Sequence, residues 1–172
     1  MRTLVKDKHI LPDVLAPGLK IVFCGSAAGT TSARLGLPYA GPGNKFWPTL
    51  YHAGFTPTQW RPADFLKLPS LGYGLTDINK TEFGMDTQLD NGDDPDALRR
   101  KIVKYSPRIV AFTAKRPAMV FLARKKLAYG FQDVTVGPTR LYVLPSPSGR
   151  AGSFWDIAHW RTLAEAVKDT AE

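Results

Sequence analysis

The chain has 172 residues, 44% of them apolar and 22% charged, the size and mix of one globular domain. It carries 23 Lys+Arg against 15 Asp+Glu, a formal charge of +8, and a single cysteine, Cys24. One cysteine excludes an internal disulfide framework and a cysteine-based zinc or iron–sulfur site. No run approaches the ~18 apolar residues of a membrane span. The first eight residues hold basic side chains without the apolar core of a secretory signal, so a cytoplasmic protein is expected, nucleoid-associated if bacterial. The charge excess suits a polyanionic partner, nucleic acid first, although many small basic proteins bind nothing anionic.

In chain order, residues 1–18 read as a loose lead-in interrupted by Pro12 and Pro17, with the domain proper over 19–172. Lys20-Ile21-Val22-Phe23-Cys24 is a short apolar run closed by Gly25, the pattern of a buried strand. A loop of small and hydroxyl residues, 25–32, follows. Residues 44–53 place Phe46, Trp47, Leu50 and Tyr51 at helical spacing, and 62–68 predicts a short helix. Residues 72–78 are a second strand or loop. Asp94 and Pro95 cap and open a helix over 93–105, with Leu98, Ile102 and Val103 on its apolar face. Residues 108–113 form a buried strand, and 117–129 a helix closed by Gly130. Two strands flank the turn at Gly137-Pro138. A last helix covers 154–168, with Ile157, Trp160, Leu163, Ala164 and Val167 on one face.

Strands alternating with helices predict a single α/β domain with a mainly parallel central sheet flanked by helices. In such sheets the site lies at the carboxyl ends of the strands. Three loops qualify: 25–32, 77–84 and 145–153. The first is no Walker loop, because no Gly-Lys-Ser/Thr follows, and its glycine spacing is not a dinucleotide fingerprint. Alone it could cradle an anion or merely be a tight turn.

Taken together the motifs say more. Val22-Phe23-Cys24-Gly25-Ser26-Ala27-Ala28-Gly29 comes first, and Pro38-Tyr39-Ala40-Gly41-Pro42-Gly43-Asn44-Lys45-Phe46-Trp47 second. Gly74-Leu75-Thr76 follows, then Leu144-Pro145-Ser146-Pro147-Ser148-Gly149. In this order they resemble the uracil-DNA glycosylase superfamily, in particular its mismatch-specific uracil/thymine branch, over about residues 20–168. The resemblance implies a three-layer fold. It also implies an enzyme that flips a uracil-type base from DNA and hydrolyses its N-glycosidic bond to leave an abasic site. It implies no metal, no cofactor, DNA as partner, no membrane, and a monomer.

The resemblance also assigns roles. Gly25, Ser26, Ala27, Ala28, Tyr39 and Asn44 fall in the base pocket, with Tyr39 at the position of the stacking aromatic. Ser146, Pro147, Ser148, Gly149 and Arg150 fall in the loop that enters DNA, with Arg150 where an apolar wedge often sits. Arginine can fill the gap and also bond bases or phosphate. Lys115 and Arg116 are further candidates for phosphate contact.

One departure matters. The asparagine that usually holds the attacking water is replaced by Ala27. A substitute carboxylate is then required, and Asp77, at the second strand end, is the first candidate, with Asp86 as fallback. An ionised Asp77 would stabilise the sugar cation and orient water, held in that form by donors from Asn79 or Lys80. Asp77 can equally be a turn aspartate. Two other functions fit the residues: a non-catalytic DNA-binding relative, and a phosphate-binding hydrolase using loop 25–32. Within the glycosylase reading the base is open, hypoxanthine, xanthine and mismatched thymine included.

Overall fold

The computed structural model describes residues 9–149 and 156–169. Five strands form one sheet in the order β2-β1-β3-β5-β4. They are β1 Ile21–Gly25, β2 Tyr73–Asp77, β3 Ile109–Phe112, β4 Gly130–Val136 and β5 Thr139–Val143. All neighbours run parallel except β4 and β5, which are antiparallel because only the turn at Gly137-Pro138 joins them. The mainly parallel α/β sheet expected from the alternation is therefore present.

β1 is buried along its whole length, and its side chains alternate between the two faces of the sheet. Ile21 and Phe23 join one cluster with Phe46, Phe55, Tyr73 and Trp160. Val22 and Cys24 join the other with Leu98, Ile102, Val110, Phe121 and Leu141. The first face is covered by α2 (Phe46–Ala53), by a 3-10 segment (Pro62–Leu71) and by α5 (Ala158–Asp169). The second is covered by α3 (Pro95–Tyr105) and α4 (Lys115–Leu122). A one-turn helix, α1 (Thr30–Leu35), follows the first loop. α3 begins as expected, with Asp94 Oδ1 accepting from the Ala97 N–H at 2.9 Å and Pro95 in the first turn.

Several expectations need correction. Residues 9–18 are not loose. Val14 bridges Leu75 through two backbone hydrogen bonds of 2.9 Å, and Leu11 and Val14 are buried. Pro12 and Pro17 end regular structure here without preventing an extended strap along β2. Val103 is 67% exposed, off the face defined by Leu98 and Ile102. The helix expected over 117–129 starts at Lys115 and stops at Leu122, where Ala123 turns left-handed (φ 54°) and its N–H reaches the Met119 and Val120 carbonyls. Three cations, Arg124 to Lys126, follow, and Leu127 and Tyr129 beyond them pack on the second cluster from outside the helix. Gly130 opens β4 instead of closing a helix. α5 begins at Ala158, whose N–H is bound by Asp156 Oδ1 at 2.9 Å.

Candidate active site at the carboxyl ends of the central strands

β2 lies on one side of β1 and β3 on the other, so the chain reverses its winding direction at β1. A crevice opens at the carboxyl ends of strands around such a reversal. Gly25 ends β1, Asp77 ends β2 in register with it, and Thr113 follows β3. These three converge. A Cβ built on Gly25 would stand 2.7 Å from Asp77 Oδ1, 3.1 Å from the Tyr39 hydroxyl and 3.4 Å from Thr113 Oγ1. Only a glycine leaves room for the carboxylate and the two hydroxyls to meet over the strand end.

Asp77 is half-buried. Burial pushes its carboxyl above the ordinary 3.8, Asp13 adds to the rise, and Lys80, Lys101 and the Gly25 backbone amide pull the other way. Asn79, expected as a donor to Asp77, points elsewhere: its amide nitrogen donates to Glu82 Oε1 at 2.7 Å and faces Asp93 Oδ1 at 3.3 Å. Lys80 influences Asp77 through its charge. Asp86, the fallback carboxylate, is solvent-exposed at the start of a short 3-10 turn, Asp86–Gln88.

Tyr39 carries positive φ (53°), a conformation unfavourable for a bulky residue. Its ring stacks on Phe46 at 3.9 Å and 13°, and its hydroxyl meets Thr113 Oγ1 at 3.1 Å. Burial and the nearby Asp77 carboxylate raise its phenol well above the usual range, so the hydroxyl stays protonated.

The first loop is tied by its carbonyls. Gly25 O accepts from Ile78 N–H (2.9 Å), Ser26 O from Asn79 N–H (2.8 Å) and Ala28 O from Gly84 N–H (2.9 Å). The Ser26 hydroxyl is buried and has no hydrogen-bond partner among the described residues, an arrangement that costs free energy unless a ligand or water completes it. Ala27 offers no polar side chain.

Asn44, expected in the base pocket, lies just before α2, where its Oδ1 accepts from the Phe46 N–H at 2.9 Å. The DNA-loop candidates pack beside this turn. Pro147 O accepts from Lys45 N–H at 2.7 Å, Ser146 Oγ accepts from Ser148 N–H at 3.2 Å, and Gly149 lies against Gly43. Arg150 lies outside the described residues. Lys115 and Arg116, expected near phosphates, are engaged: Lys115 sits 4.5 Å over the Tyr129 ring and Arg116 pairs with Asp93 at 2.7 Å.

Thr113 escaped the sequence reading. The expected strand ran through Thr113 and hid it; β3 ends at Phe112, which leaves Thr113 as the first residue past a buried strand.

Comparison with known proteins agrees with this fold. A provisionally assigned uracil DNA glycosylase from Methanosarcina acetivorans, solved in solution by NMR, is similar with a TM-score of 0.61 and 23% identity over 92% of this chain and 96% of that one. At that identity the likeness bears on the fold. The model of the uracil DNA glycosylase superfamily matches residues 12–164, from the strap beside β2 to α5. Nearly the whole described chain is thereby accounted for, and this protein belongs to the uracil DNA glycosylase superfamily.

Proposed function

We propose that the protein is a monofunctional DNA glycosylase that removes uracil from DNA and leaves an abasic site, acting as a monomer in the compartment that holds the DNA. The observation that carries this reading is the convergence of Asp77, Tyr39 and Thr113 over Gly25. It supplies a carboxylate at the strand ends where the family's usual asparagine is replaced by Ala27.

The reaction breaks the bond between the sugar C1′ and the base nitrogen. Positive charge grows on the sugar and negative charge on the departing base. An ionised Asp77 stabilises the first, orients water and takes up its proton as the water oxygen bonds to C1′ and the base leaves with the bonding electrons. Asp77 must lose its proton to act, so the rate rises with pH through its elevated titration. The amide groups of loop 25–28 are suited to the base oxygens, as is the Ser26 hydroxyl, which is buried and has no partner among the described residues. Tyr39 walls the pocket with a ring backed by Phe46. In this reading the loop 146–149 and Arg150 enter the duplex. Lys80 is unsuited to Schiff-base chemistry, because its ammonium is paired with Asp13 at 2.9 Å; this favours water as nucleophile.

The test is base release from a labelled oligonucleotide with one uracil, single-stranded and opposite guanine, with Asp77→Asn beside wild type. Release by wild type and none by the variant is expected. Ala27 favours one other reading, a DNA-binding relative without turnover. Silence on uracil, hypoxanthine and mismatched thymine, together with salt-sensitive DNA binding, would select it.

A further inference from the structure

Lys80 is the one buried charged side chain among the described residues, at 9% exposure. It follows Asp77 by three positions yet does not pair with it. Its Nζ lies 2.9 Å from Asp13 Oδ1, on the strap that precedes β1. Lys101 from α3 takes the other oxygen, Asp13 Oδ2, at 2.7 Å. The Thr76 hydroxyl donates to Asp13 Oδ1 at 2.7 Å, and Lys101 Nζ reaches the same hydroxyl at 3.4 Å. Two ammonium groups and one carboxylate leave this cluster with one net positive charge. Asp77 makes no direct ion pair among the described residues.

We propose that Lys80 is a positioning residue: clamped by Asp13, it holds the Asp77 carboxylate ionised through space while no side chain pairs with either Asp77 oxygen. This extends the reading of Asp77 as the catalytic carboxylate and takes its functional meaning from it. A lysine bonded directly to Asp77 would occupy an oxygen needed for water and would compete with the sugar cation. A lysine with no counter-ion would be costly to bury and free to swing onto Asp77. Asp13 removes both problems, because it fixes where the charge sits. The groups whose charge bears on Asp77 come from every element around it: Lys80 and Asp13 from the flanking loops, Lys101 from α3, Cys24 from β1 and Tyr39 from the loop before α2. Cys24 and Tyr39 are kept neutral by burial, so the cluster is the source of positive charge.

The test uses the full chain with its aspartate carboxyls labelled with carbon-13. The Asp77 resonance is identified by its loss in Asp77→Asn and titrated in wild type, Lys80→Met, Lys101→Met and Asp13→Asn. The pH dependence of uracil release is followed in parallel. Lys80→Met should move the Asp77 midpoint up, Lys101→Met up by less, and Asp13→Asn down. At a fixed acidic pH the ionised fraction, and the rate with it, changes about tenfold for each unit moved. Opposite signs within one cluster cannot arise from loosening of the fold, which would move all three the same way. Unchanged midpoints, or shifts of one common sign, would overturn the proposal. Should Lys80→Met fail to fold, the other two variants still give the sign test. Opposite shifts with full release by Asp77→Asn would leave the coupling standing and sink the catalytic role of Asp77. Loss of release in Asp77→Asn with no shifts would sink the coupling alone.

Discussion

Asp13 and Asp77 stand within one neighbourhood, on either side of β2, and meet opposite fates. Both lose water. At Asp13 that loss is more than offset by Lys80, Lys101 and the Thr76 hydroxyl, and its carboxyl sits below the ordinary 3.8. At Asp77 no ion pair is made among the described residues, the Gly25 amide offsets only part of the loss, and burial leaves its carboxyl above 3.8. Adjacent residues of one strand explain the division: Thr76 faces the ion-pair cluster and Asp77 faces Gly25, because side chains alternate along a strand. A fully paired carboxylate fastens the strap to the sheet. An unpaired one keeps its oxygens for chemistry, and the fold bears the cost.

Four substitutions test that contrast. Asp77→Asn should lower uracil release by roughly 1,000-fold, within the span of a general acid–base group. The same variant should be more stable than wild type at neutral pH. The sign follows from linkage: a carboxyl raised in the folded state stabilises the fold below 3.8, where it is protonated in both states, and that contribution is lost as pH rises through the folded value. The advantage of Asn should therefore shrink on acidification, as measured by thermal unfolding across pH. A variant less stable than wild type at neutral pH would make Asp77 a structural partner like Asp13.

Gly25→Ala should reduce release by about 100-fold with the chain still folded, because the methyl group would stand 2.7 Å from Asp77 Oδ1 and push it aside, and a displaced group forfeits its geometry. Near-normal turnover would show that the meeting point over Gly25 is not where chemistry occurs. Asp13→Ala should cost roughly 2 kcal/mol in denaturant unfolding, since it strands Lys80, with some relief from the partial exposure of Asp13. That loss should fade as pH falls through the lowered titration of Asp13, the reverse of the Asp77 behaviour. A pH-independent loss would point to packing of the strap. Tyr39→Phe has the smallest expected effect, about 1 kcal/mol of stability from the Thr113 hydrogen bond, with release retained because the ring stays on Phe46. Abolished release would make the hydroxyl itself part of the reaction.

Much of this was legible in the sequence, for reasons particular residues show. β1 and β3 are buried on both faces, so they appear as unbroken apolar runs. Asp94-Pro95 starts α3 by local chemistry alone. Asp77 was findable because the carboxyl end of a parallel strand is a place and not a contact. What sequence hides is distance. Nothing in the spacing of Asp13, Lys80 and Lys101 announces that three segments meet, nor that the Asn44 oxygen is taken by the Phe46 N–H. The end of α4 is hidden because alanine is no helix-stop signal, yet Ala123 takes the left-handed turn that closes it.

The contact between the Pro147 carbonyl and the Lys45 amide joins stretches a hundred residues apart, and it orders events during synthesis. Asp77, Tyr39, Gly25 and Thr113 all emerge from the ribosome before β5, which inserts between β3 and β4. The loop at 146–149 comes after β5, so the polar cluster is translated before the segment proposed to grip DNA. A nascent or truncated chain ending near the turn at Gly137-Pro138 would hold the cluster's residues without that grip. Two fragments divided at this turn would therefore form a split reporter, silent apart and active only when the second supplies β5 and its loop.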